Sequence, residues 1–502
     1  MTESEPTPVS FGRRISDLAA ERPEAVALIF EPRPGGGRAR VFSWADVERR
    51  SLQIAGLMHR RGVGQDAMVI VGLPNSPEHV FASLAAWKLG AGVLPLRWDL
   101  PEWERNRLIE VVKPRLVCGD WNEIPAARLS RVQLAASTEA PAEPLEDRIA
   151  DPARAIASSG STGLPKIIVK PGPGQGVPGA ESGPFERDPE KAARSELVLS
   201  PLYHTNGFFI AHAALFGGDR VVLMERFDAA QAVDLIERHR IQNVTMVPTM
   251  LQRIARLPDL ETRDFSSIEF VLQGGATCPG WLVRRWIELV GPESFVMSYG
   301  STEGIGLAMI SGAEWLDHPG SVGKAQDSEV RILDESGRSV SIGVIGEIFM
   351  RPTTDDAPGF EYVGAAPPKR SDEGFTSVGD MGWLDEGGYL FIADRRQDMI
   401  ISGGANIFPA EVEAALSEHP EVFDCVVIGL PDEDWGHRVH ALIHPRDADR
   451  PPSNTELRAH CRARLAAFKV PKAFEIVEHL PRTEAGKLNR SGLVTERSDE
   501  TP

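Results

Sequence analysis

The sequence predicts an α/β fold: a large N-terminal domain of layered sheets with helices and a β-rich subdomain, followed by a small α+β C-terminal domain. Three observations lead to this prediction. The chain has 502 residues, which exceeds what a single hydrophobic core usually supports. Short apolar runs alternate with helical patterns in the first part of the chain. Short alternating segments separated by glycine turns come after them.

The alternation is clearest in "DAMVIVGLPNSPEHVFASLAAWKLGAGVLPL", which predicts a strand, a turn, a helix and a second strand. Its "MVIVGL" run lacks the period-2 alternation of a half-exposed strand, and therefore suits a strand buried on both faces. The same order recurs in "RVVLME…DAAQAVDLIERHRIQNVTMVP" and in "IEFVLQGG…WLVRRWIELVGPESFVMSYG". Repeated strand–helix–strand units predict parallel sheets that are covered by helices.

The pattern changes from about residue 330. There "EVRILDESGRSVSIGVIGEIFMR" predicts antiparallel strands. After Arg395 we predict helices at "PAEVEAALSEH" and "SNTELRAHCRARLAAF" and strands at "FDCVVIGL" and "VHALIHP". The predicted domains are residues 1–394 and 399–502, with a hinge at 395–398. The Pro- and Gly-rich residues 171–195 predict a loop or flap.

Composition excludes several functional classes. The formal net charge of -18 argues against a general binder of nucleic acid or of anionic membranes, because such surfaces need a basic footprint. The start "MTESEPTPVS" lacks the basic and apolar regions of a signal peptide, and no apolar run predicts a transmembrane helix. The four cysteines lie far apart in sequence and are interpreted as reduced thiols. We therefore predict a cytoplasmic protein.

The segment "SSGSTGLPK" at residues 158–166 predicts a loop that holds a polyphosphate. Glycines allow several backbone N–H groups to point at one anion. The hydroxyl groups add donors and can reach Mg²⁺, and Lys166 adds a positive charge. The segment does not match the Walker A pattern, and Pro165 stands where that loop would begin its helix. The alternative is a flexible Gly/Ser surface loop.

Two further segments combine groups that suit a nucleotide. In "SYGSTEG", Tyr299 could stack on a flat ring, Thr302 could bind a phosphate oxygen, and Glu303 could hold Mg²⁺. The alternative there is a helix start capped by a serine at position 301. In "GDMGWLDEGGYLFIADRR", Asp380 lies in a predicted glycine-flanked turn and could accept both ribose hydroxyls, while Arg395 could bind a phosphate or the ribose. The alternatives are a turn residue and a surface salt bridge.

A fourth segment, "LPRTEAGKLNR", carries Lys487 after a glycine and is unremarkable by itself. The four segments together, in this order, resemble the ANL superfamily of adenylate-forming enzymes, which includes acyl-CoA synthetases, peptide-synthetase adenylation domains and beetle luciferases. The resemblance extends from about residue 10 to residue 492 and includes "PLYHTNGF", "TMVPTML", "LQGGATC", "GSVGKA" and "AAFKVPKAFEIVEHLPRT". The "GSTGLPK" and "KPGPG" variants look closest to the bile-acid and fatty-acid-type CoA ligases of that superfamily.

The resemblance implies a ligase with two half-reactions and a mobile C-terminal domain. A carboxylic acid would react with ATP to give an acyl adenylate and pyrophosphate, with Mg²⁺ as cofactor, and CoA would then take the acyl group. The alternative acceptors are a carrier protein, an amine or another nucleophile; activation of another oxyanion such as nitrite is a further variant. A catalytically silent scaffold is the rival from another class. The implied partners are the small acid and CoA or an acyl carrier protein, with no nucleic acid and no membrane; a homodimer is left open.

The resemblance also implies roles for individual residues. The nucleotide would be bound through its phosphates, its adenine and its ribose by Ser158, Ser159, Gly160, Ser161, Thr162, Gly163, Lys166, Gly275, Ala276, Tyr299, Asp380 and Arg395. Thr302 would contact the α-phosphate, Glu303 and Thr162 would hold Mg²⁺, and Lys487 would bridge the acid and the α-phosphate. The acid pocket would be lined by His204, Asn206, Phe208, Val247, Gly300 and Ile305. The CoA side would include Gly403, Gly404, Trp435, Lys469 and Lys472.

Several positions depart from the family's pattern. The usual glycine before the ribose arginine is Asp394, the hinge position is Gln397, and His437 stands where the family often has glutamate. Thr205 and Asn206 are polar where many acyl pockets are apolar, and a buried asparagine needs a hydrogen-bond partner. We therefore predict an acid that carries a hydroxyl, amino or carbonyl group; the alternative is that Asn206 bonds to nearby backbone.

Overall fold

The computed structural model describes residues 7–139, 141–159, 165–179, 193–354, 359–483, 486 and 488–498. Within them the helices are α1 Phe11–Glu21, α2 Trp44–His59, α3 Pro77–Lys88, α4 Glu102–Val112, α5 Arg131–Ala135, α6 Thr205–Gly217, α7 Ala229–His239, α8 Pro248–Ala255, α9 Gly280–Val290, α10 Gly312–Asp317, α11 Pro409–Ser417, α12 Asn454–Arg462 and α13 Arg490–Ser498. The strands are β1 Val9–Ser10, β2 Val26–Glu31, β3 Arg40–Ser43, β4 Met68–Gly72, β5 Gly92–Pro95, β6 Leu116–Gly119, β7 Arg128–Leu129, β8 Ala155–Ser159, β9 Pro165–Val169, β10 Gln175–Gly176, β11 Ser195–Val198, β12 Arg220–Met224, β13 Asn243–Met246, β14 Phe270–Gln273, β15 Phe295–Gly300, β16 Leu307–Ser311, β17 Ser321–Ala325, β18 Ser328–Leu333, β19 Gly346–Pro352, β20 Glu361–Val363, β21 Thr376–Leu384, β22 Leu390–Arg395, β23 Ile400–Ser402, β24 Ala405–Ile407, β25 Val422–Asp432, β26 Gly436–Pro445 and β27 Ala473–Ile476.

Two parallel sheets confirm the predicted strand–helix–strand units. One runs in the order β5-β4-β6-β7, and the other contains the parallel run β15-β14-β13-β11-β12-β2. The apolar run in β4 is buried on both faces, because Val69, Ile70 and Val71 are each 0% exposed. Helix α3 is the helix predicted between the two strands, and it has Ser76 as its N-cap and a proline in its first turn.

The antiparallel region is also confirmed. From β15 the large sheet continues through β16, β17, β22, β21 and β19 to β18, with antiparallel neighbours throughout. A separate hairpin of β8 and β9, with β20 added beside β9, lies next to it. Residues 160–164 connect β8 to β9. The sheet region and this hairpin together supply most of the groups of the candidate site.

The C-terminal α+β stretch forms its own core around the sheet β25-β26-β27 and helices α11 and α12. Helix α11 ends at Ser417, two residues before the predicted end. The stretch packs on helices α8 and α9: the Gln252 amide donates to the Phe423 carbonyl oxygen at 3.2 Å, and the Trp281 indole donates to Ser417 Oγ at 3.0 Å. The fold class is therefore as predicted, with a small C-terminal unit docked on a large N-terminal one.

The structure also bears on the membrane prediction. In the described part of the chain, every helix is too short or too polar to cross a bilayer.

Candidate active site

The N-terminus of helix α6 lies against the turn that contains Thr302. His204 precedes the helix as its N-cap residue, and the hydroxyls of Thr205 and Thr302 are 3.1 Å apart. Residues 301–304 form a turn, in which the Gly304 N–H donates to the Ser301 carbonyl oxygen at 2.9 Å. The alternative of a helix capped by Ser301 is therefore wrong, since strand β16 follows this turn. The "STEG" segment therefore forms a turn beside the N-terminus of α6.

Three pocket residues that are distant in sequence come together beside this turn. Gly275 follows β14 with φ of 85°, a backbone conformation that favours glycine. A Cβ atom at Gly275 would lie 3.3 Å from Val247 Cγ1 and 3.7 Å from Asn206 Nδ2. Ala276 follows in the same loop, where its carbonyl oxygen accepts a hydrogen bond from Gln273 at 2.9 Å. The glycine thus leaves a space bordered by an amide and an apolar side chain.

The amide of Asn206 makes no hydrogen bond within the described residues, although its side chain is only partly exposed. The alternative of a bond to nearby backbone is therefore not seen in this part of the chain. The amide remains available to a ligand in the space beside Gly275.

A second cluster surrounds Glu303. Its Oε1 atom accepts hydrogen bonds from the Tyr362 hydroxyl at 2.7 Å and from Lys166 Nζ at 3.1 Å. Lys166 Nζ also lies 3.9 Å from the centre of the Tyr362 ring. Burial alone would raise the pKa of Glu303, but the hydrogen bond from Tyr362 and the charge of Lys166 hold this pKa below its usual value. The carboxylate is therefore ionised, and no side chain of the described residues bonds to its Oε2 atom.

Tyr299 and Asp380 form a third group. The Tyr299 hydroxyl donates to Asp380 Oδ2 at 2.6 Å. Burial, followed by the nearby Asp380 charge, raises the pKa of Tyr299, and burial likewise raises the pKa of Asp380. Asp380 was predicted in a turn, and this is wrong: it lies inside strand β21, directly opposite Arg395 in β22. The antiparallel pairing of β21 with β22 continues through Asp380, so the chain forms no turn there. Gly379 remains part of the strand although it adopts φ of 80°.

The turn before Lys487 reaches the large domain, although Lys487 itself lies outside the described residues. The Gly486 carbonyl oxygen accepts a hydrogen bond from Arg482 at 3.0 Å, and Arg482 is fixed by an ion pair with Asp424 at 2.6 Å. A Cβ atom at Gly486 would lie 3.5 Å from the Cβ atom of Thr249, in the first turn of α8. The C-terminal unit is therefore docked with this turn facing the side of α8 that follows Val247.

Other predicted residues are placed away from this group. The indole of Trp435 lies beside Gly403, whose N–H donates to the Trp435 carbonyl oxygen at 2.9 Å. Lys469 is paired with Glu411 at 2.6 Å. These residues, with Gly404, belong to the C-terminal unit, and the contacts described here for Gly403, Trp435 and Lys469 lie within it. The structure therefore does not bring the predicted CoA side to the predicted nucleotide side.

Phe208 is not brought to the pocket either. It is 1% exposed and packs in the core against His212, with ring centres 4.4 Å apart. Phe208 lies two positions after Asn206 on helix α6, and its side chain therefore faces away from that of Asn206. Gly300 ends strand β15, and Ile305 is buried near Tyr299 in the core of the antiparallel region.

Three of the four residues predicted as a hinge lie in a short 3₁₀ turn, Arg396–Asp398, where Gln397 is exposed. Asp394 is buried and accepts hydrogen bonds from the Arg395 and Ala410 N–H groups, each at 2.7 Å. Burial raises the pKa of Asp394 to about 6, and these hydrogen bonds limit the shift. The residue that replaces the family's glycine thus ties the hinge to the first turn of α11.

The remaining predicted residues fall partly outside the described chain. The residues outside the described chain include Gly160, Ser161, Thr162 and Gly163. The structure describes Ser158 and Ser159 only as the end of strand β8. Sequence reasoning missed Tyr362 and Arg482. No local signal marks Tyr362, because it reaches Glu303 only through the pairing of β20 with β9.

The groups present fit a magnesium–nucleotide complex. Mg²⁺ is usually held by one or two carboxylates together with phosphate oxygens, and Glu303 offers one ionised carboxylate with an open oxygen. Within the described chain no group of three or more His, Cys, Asp or Glu side chains could hold a metal by itself. A metal here would therefore depend on the nucleotide for its other ligands.

Comparison with known proteins agrees with this arrangement. Residues 15–354 match the AMP-binding enzyme family, and residues 411–487 match the AMP-binding enzyme C-terminal domain. A feruloyl-CoA synthase from Amycolatopsis sp. is 32% identical over 90% of this chain and 93% of its own. A 2-succinylbenzoate–CoA ligase from Bacillus licheniformis is 32% identical over 90% of this chain and 94% of its own.

A solved structure gives the same result. The o-succinylbenzoate CoA synthetase of Bacillus subtilis, in complex with an acyl-adenylate intermediate, superposes with a TM-score of 0.78 at 26% identity, covering 97% of this chain and 98% of that one. The same enzyme has been solved with ATP and magnesium ion, again at a TM-score of 0.78. This chain therefore belongs to the AMP-binding enzyme family, within the ANL superfamily of adenylate-forming enzymes.

Proposed function

We propose that this protein is an ATP- and Mg²⁺-dependent ligase that converts an aromatic carboxylic acid to its CoA thioester. The observation that carries the proposal is the turn of Thr302 and Glu303, held between helix α6 and the Lys166–Tyr362 pair. The two relatives named for feruloyl-CoA and 2-succinylbenzoate–CoA support an aromatic acid. Val247, which borders Gly275, offers an apolar contact to the ring of such an acid.

The first half-reaction joins two anions. A carboxylate oxygen of the acid attacks the α-phosphorus of ATP, the bond from that phosphorus to the bridging oxygen breaks, and pyrophosphate leaves with the electron pair. Such a step depends mainly on positioning and on neutralising charge. When bound, Mg²⁺ would neutralise phosphate charge beside Glu303. We assign Lys487 to the acid and α-phosphate oxygens, Thr302 to the α-phosphate, and Asp380 with Arg395 to the ribose.

We propose further binding roles from the same positions. Residues 158–163 and Lys166 would hold the β- and γ-phosphates, with Thr162 near the metal, and Tyr299, Gly275 and Ala276 would frame the adenine. His204 and Asn206 would line the acid pocket together with Val247, Gly300 and Ile305. The cytosol suits this chemistry, since the four cysteines are free thiols.

The second half-reaction needs a different group at the same carbon. The CoA thiolate attacks the carbonyl carbon of the adenylate, and AMP leaves with the electron pair of the carbon–oxygen bond. In the present arrangement the turn before Lys487 occupies the face of α8. We propose that the unit of residues 399–502 rotates about 395–398, so that Gly403, Gly404, Trp435 and Lys469 approach the adenylate.

The test is pyrophosphate release from ATP and Mg²⁺ with a panel of aromatic and aliphatic acids, with and without CoA. Products are identified by mass spectrometry. An aromatic acyl-CoA with AMP is the expected result. Pyrophosphate release without consumption of CoA would support adenylation but not CoA as the acceptor. The acceptor would then be a carrier protein, an amine or another nucleophile. Absence of ATP binding would overturn the proposal.

A further inference from the structure

Two cations flank the base of the β8–β9 hairpin, one next to each strand. Arg154 immediately precedes β8 and Lys170 immediately follows β9, and the adjacent pair Ala155–Val169 is in register. Both side chains are half-buried. Burial lowers the pKa of both groups, and the positive charge of Arg154 lowers the pKa of Lys170 further. Their placement is therefore electrostatically unfavourable in the protein by itself.

Neither cation has an anionic partner at contact distance among the described residues. The Arg154 guanidinium lies over the Phe209 ring, 5.1 Å from its centre. Glu303 and Asp327 lie near enough to favour the Lys170 ammonium, but Glu303 gives its Oε1 to Lys166 and Tyr362 instead. Because a buried cation without a paired carboxylate is costly, the pair is a candidate site for an anion from outside the chain.

The position of the pair relative to the reacting end can be read along α6. Thr205 contacts Thr302, and Phe209 lies one helical turn further along the same face. Gly304 follows two residues after Thr302, and a side chain there would strike the end of Lys170. One turn of helix spans about 6 Å. The Thr205–Thr302 contact therefore lies about one helical turn from the Arg154–Phe209 contact and two residues from the Gly304–Lys170 contact.

The base of the hairpin is distinct from the end that would hold the triphosphate. Strand β8 has 5 residues, so its last residue, Ser159, lies about 16 Å along the chain from Arg154. Lys166, next to that end, is the lysine that contacts Glu303. The Ser159 end of the strand thus lies far from Arg154, whereas Thr205 lies only one helical turn from Phe209, over which the Arg154 guanidinium lies.

We propose that Arg154 and Lys170 form a subsite for a second carboxylate, carried by the acid at the end opposite to the one that is activated. The guanidinium offers two parallel N–H donors to a carboxylate, and the ammonium offers a third. This inference rests on the proposed function, because it names the class of acid that the ligase would take.

The experiment compares matched acids with and without a second carboxylate. The probes are 4-carboxycinnamate against cinnamate, and adipate against its monomethyl ester. The first readout is kcat/KM for pyrophosphate release. The second is calorimetric affinity in the presence of a non-hydrolysable ATP analogue, which needs no turnover. We expect about a ten-fold or greater preference for the diacid in both.

Variants then assign the preference to the pair. Lys170→Met and Arg154→Met should each bring the diacid preference close to unity without weakening the monoacid, whereas Lys170→Arg should retain most of it. Lys113→Met, which removes an exposed lysine outside the site, is the matched control.

Three results would overturn the inference. One is equal affinity for diacid and monoacid in the unaltered protein, and another is a preference that survives both methionine variants. The third is a rise in the KM for ATP that is the same for every acid, which would assign the cations to the phosphates. If no acid releases pyrophosphate, the proposed function fails, and the calorimetric comparison still decides the subsite.

Discussion

At Glu303, burial and hydrogen bonding act on the carboxylate in opposite directions. Burial disfavours its charged form, while Tyr362 and Lys166 stabilise it, and the second effect prevails. Both donors reach the same oxygen, and no other side chain in the described part of the chain bonds to the second one. The cluster thus has the charge and the free ligand atom that a bound Mg²⁺ requires.

Replacing Glu303 by glutamine should lower the rate of pyrophosphate release about 10²–10³-fold, since a charge-stabilising group of the transition state is lost. Tyr362→Phe keeps the ring beside Lys166 but removes one donor, which should raise the pKa of Glu303 and increase the KM for Mg²⁺ several-fold. Magnesium titrations of the steady-state rate measure both effects.

The control for Tyr362→Phe is Tyr389→Phe, whose hydroxyl faces Glu314 at 3.5 Å away from this cluster. An unchanged magnesium dependence in both Glu303→Gln and Tyr362→Phe would contradict the assignment of this cluster to the metal.

Asn206 offers a test of the substrate's polarity. Its amide has no partner within the described chain and lies beside the space at Gly275. Asn206→Ala should lower kcat/KM about ten-fold for 4-hydroxycinnamate and leave cinnamate almost unchanged, because only the first can bond to the amide. Val247→Ala is the comparison, since loss of apolar contact should weaken both acids alike. An unaltered ratio between the two acids in Asn206→Ala would rule out this role.

At the scale of the element, the hinge strand carries a buried carboxylate in place of a glycine. Asp394 is the penultimate residue of β22 and accepts a hydrogen bond from the N–H of Ala410 in the first turn of α11. In the following turn, Oδ2 of Asp398 lies 3.4 Å from Nε of Arg490 in α13. The hinge is therefore bonded to the C-terminal unit on both sides of Gln397, and this should restrict where rotation takes place.

The raised pKa of Asp394 makes the free energy of unfolding depend on pH in a known direction. Its value of about 6 exceeds the usual 3.8, so the folded protein binds more protons than the unfolded chain between these values. Stability at this site therefore increases as the pH falls through 6 and decreases as the pH rises. A difference of two pKa units corresponds to at most about 3 kcal/mol in the free energy of unfolding.

Asp394→Asn keeps an acceptor for Ala410 and cannot ionise, so it should raise the urea midpoint at pH 8 and flatten its change between pH 4 and 6. Asp372→Asn, at an exposed position, is the control. The explanation fails if Asp394→Asn reproduces the pH dependence of the unaltered protein.

At the scale of the whole molecule, the two units are docked through α8 and α9. Gln252 and Arg256 donate to the Phe423 carbonyl oxygen, and Trp281 donates to Ser417. Burial lowers the pKa of Arg256 to about 10, which leaves it charged at neutral pH. This contact brings the turn before Lys487 to the large domain while the Gly403–Trp435 region stays outside.

A disulfide between the units should separate the two half-reactions. A Cβ atom at Gly486 would lie 3.5 Å from that of Thr249, within the range of about 3.5–4.5 Å found in disulfides. The double variant Thr249→Cys/Gly486→Cys, once oxidised, should still release pyrophosphate and form the adenylate but make almost no thioester. Single-turnover product analysis measures both steps.

Reduction should restore thioester formation, and the two single-cysteine variants should not respond to the oxidant. Thioester formation at the original rate in the oxidised double variant would show that rotation of the C-terminal unit is not required.

The sequence alone determined the layered parallel sheets, the antiparallel region and the C-terminal α+β unit. Each follows from local hydrophobic periodicity and turn residues, which act over a few positions. The "STEG" segment was also found from sequence, because Thr302 and Glu303 are contiguous with the strand that positions them.

Only the tertiary structure decided which distant groups meet. Asp380 lies in a strand rather than a turn because antiparallel pairing with β22 continues through it. Tyr362 reaches Glu303 through β20, and Lys170 meets Arg154 through the register of β8 and β9. Strand register and domain docking join residues that are far apart in the chain, and local propensity does not specify them. The charge of Glu303 and the placement of the two cations at the hairpin base, which have no anionic partner at contact distance in the described part of the chain, arise from those long-range contacts.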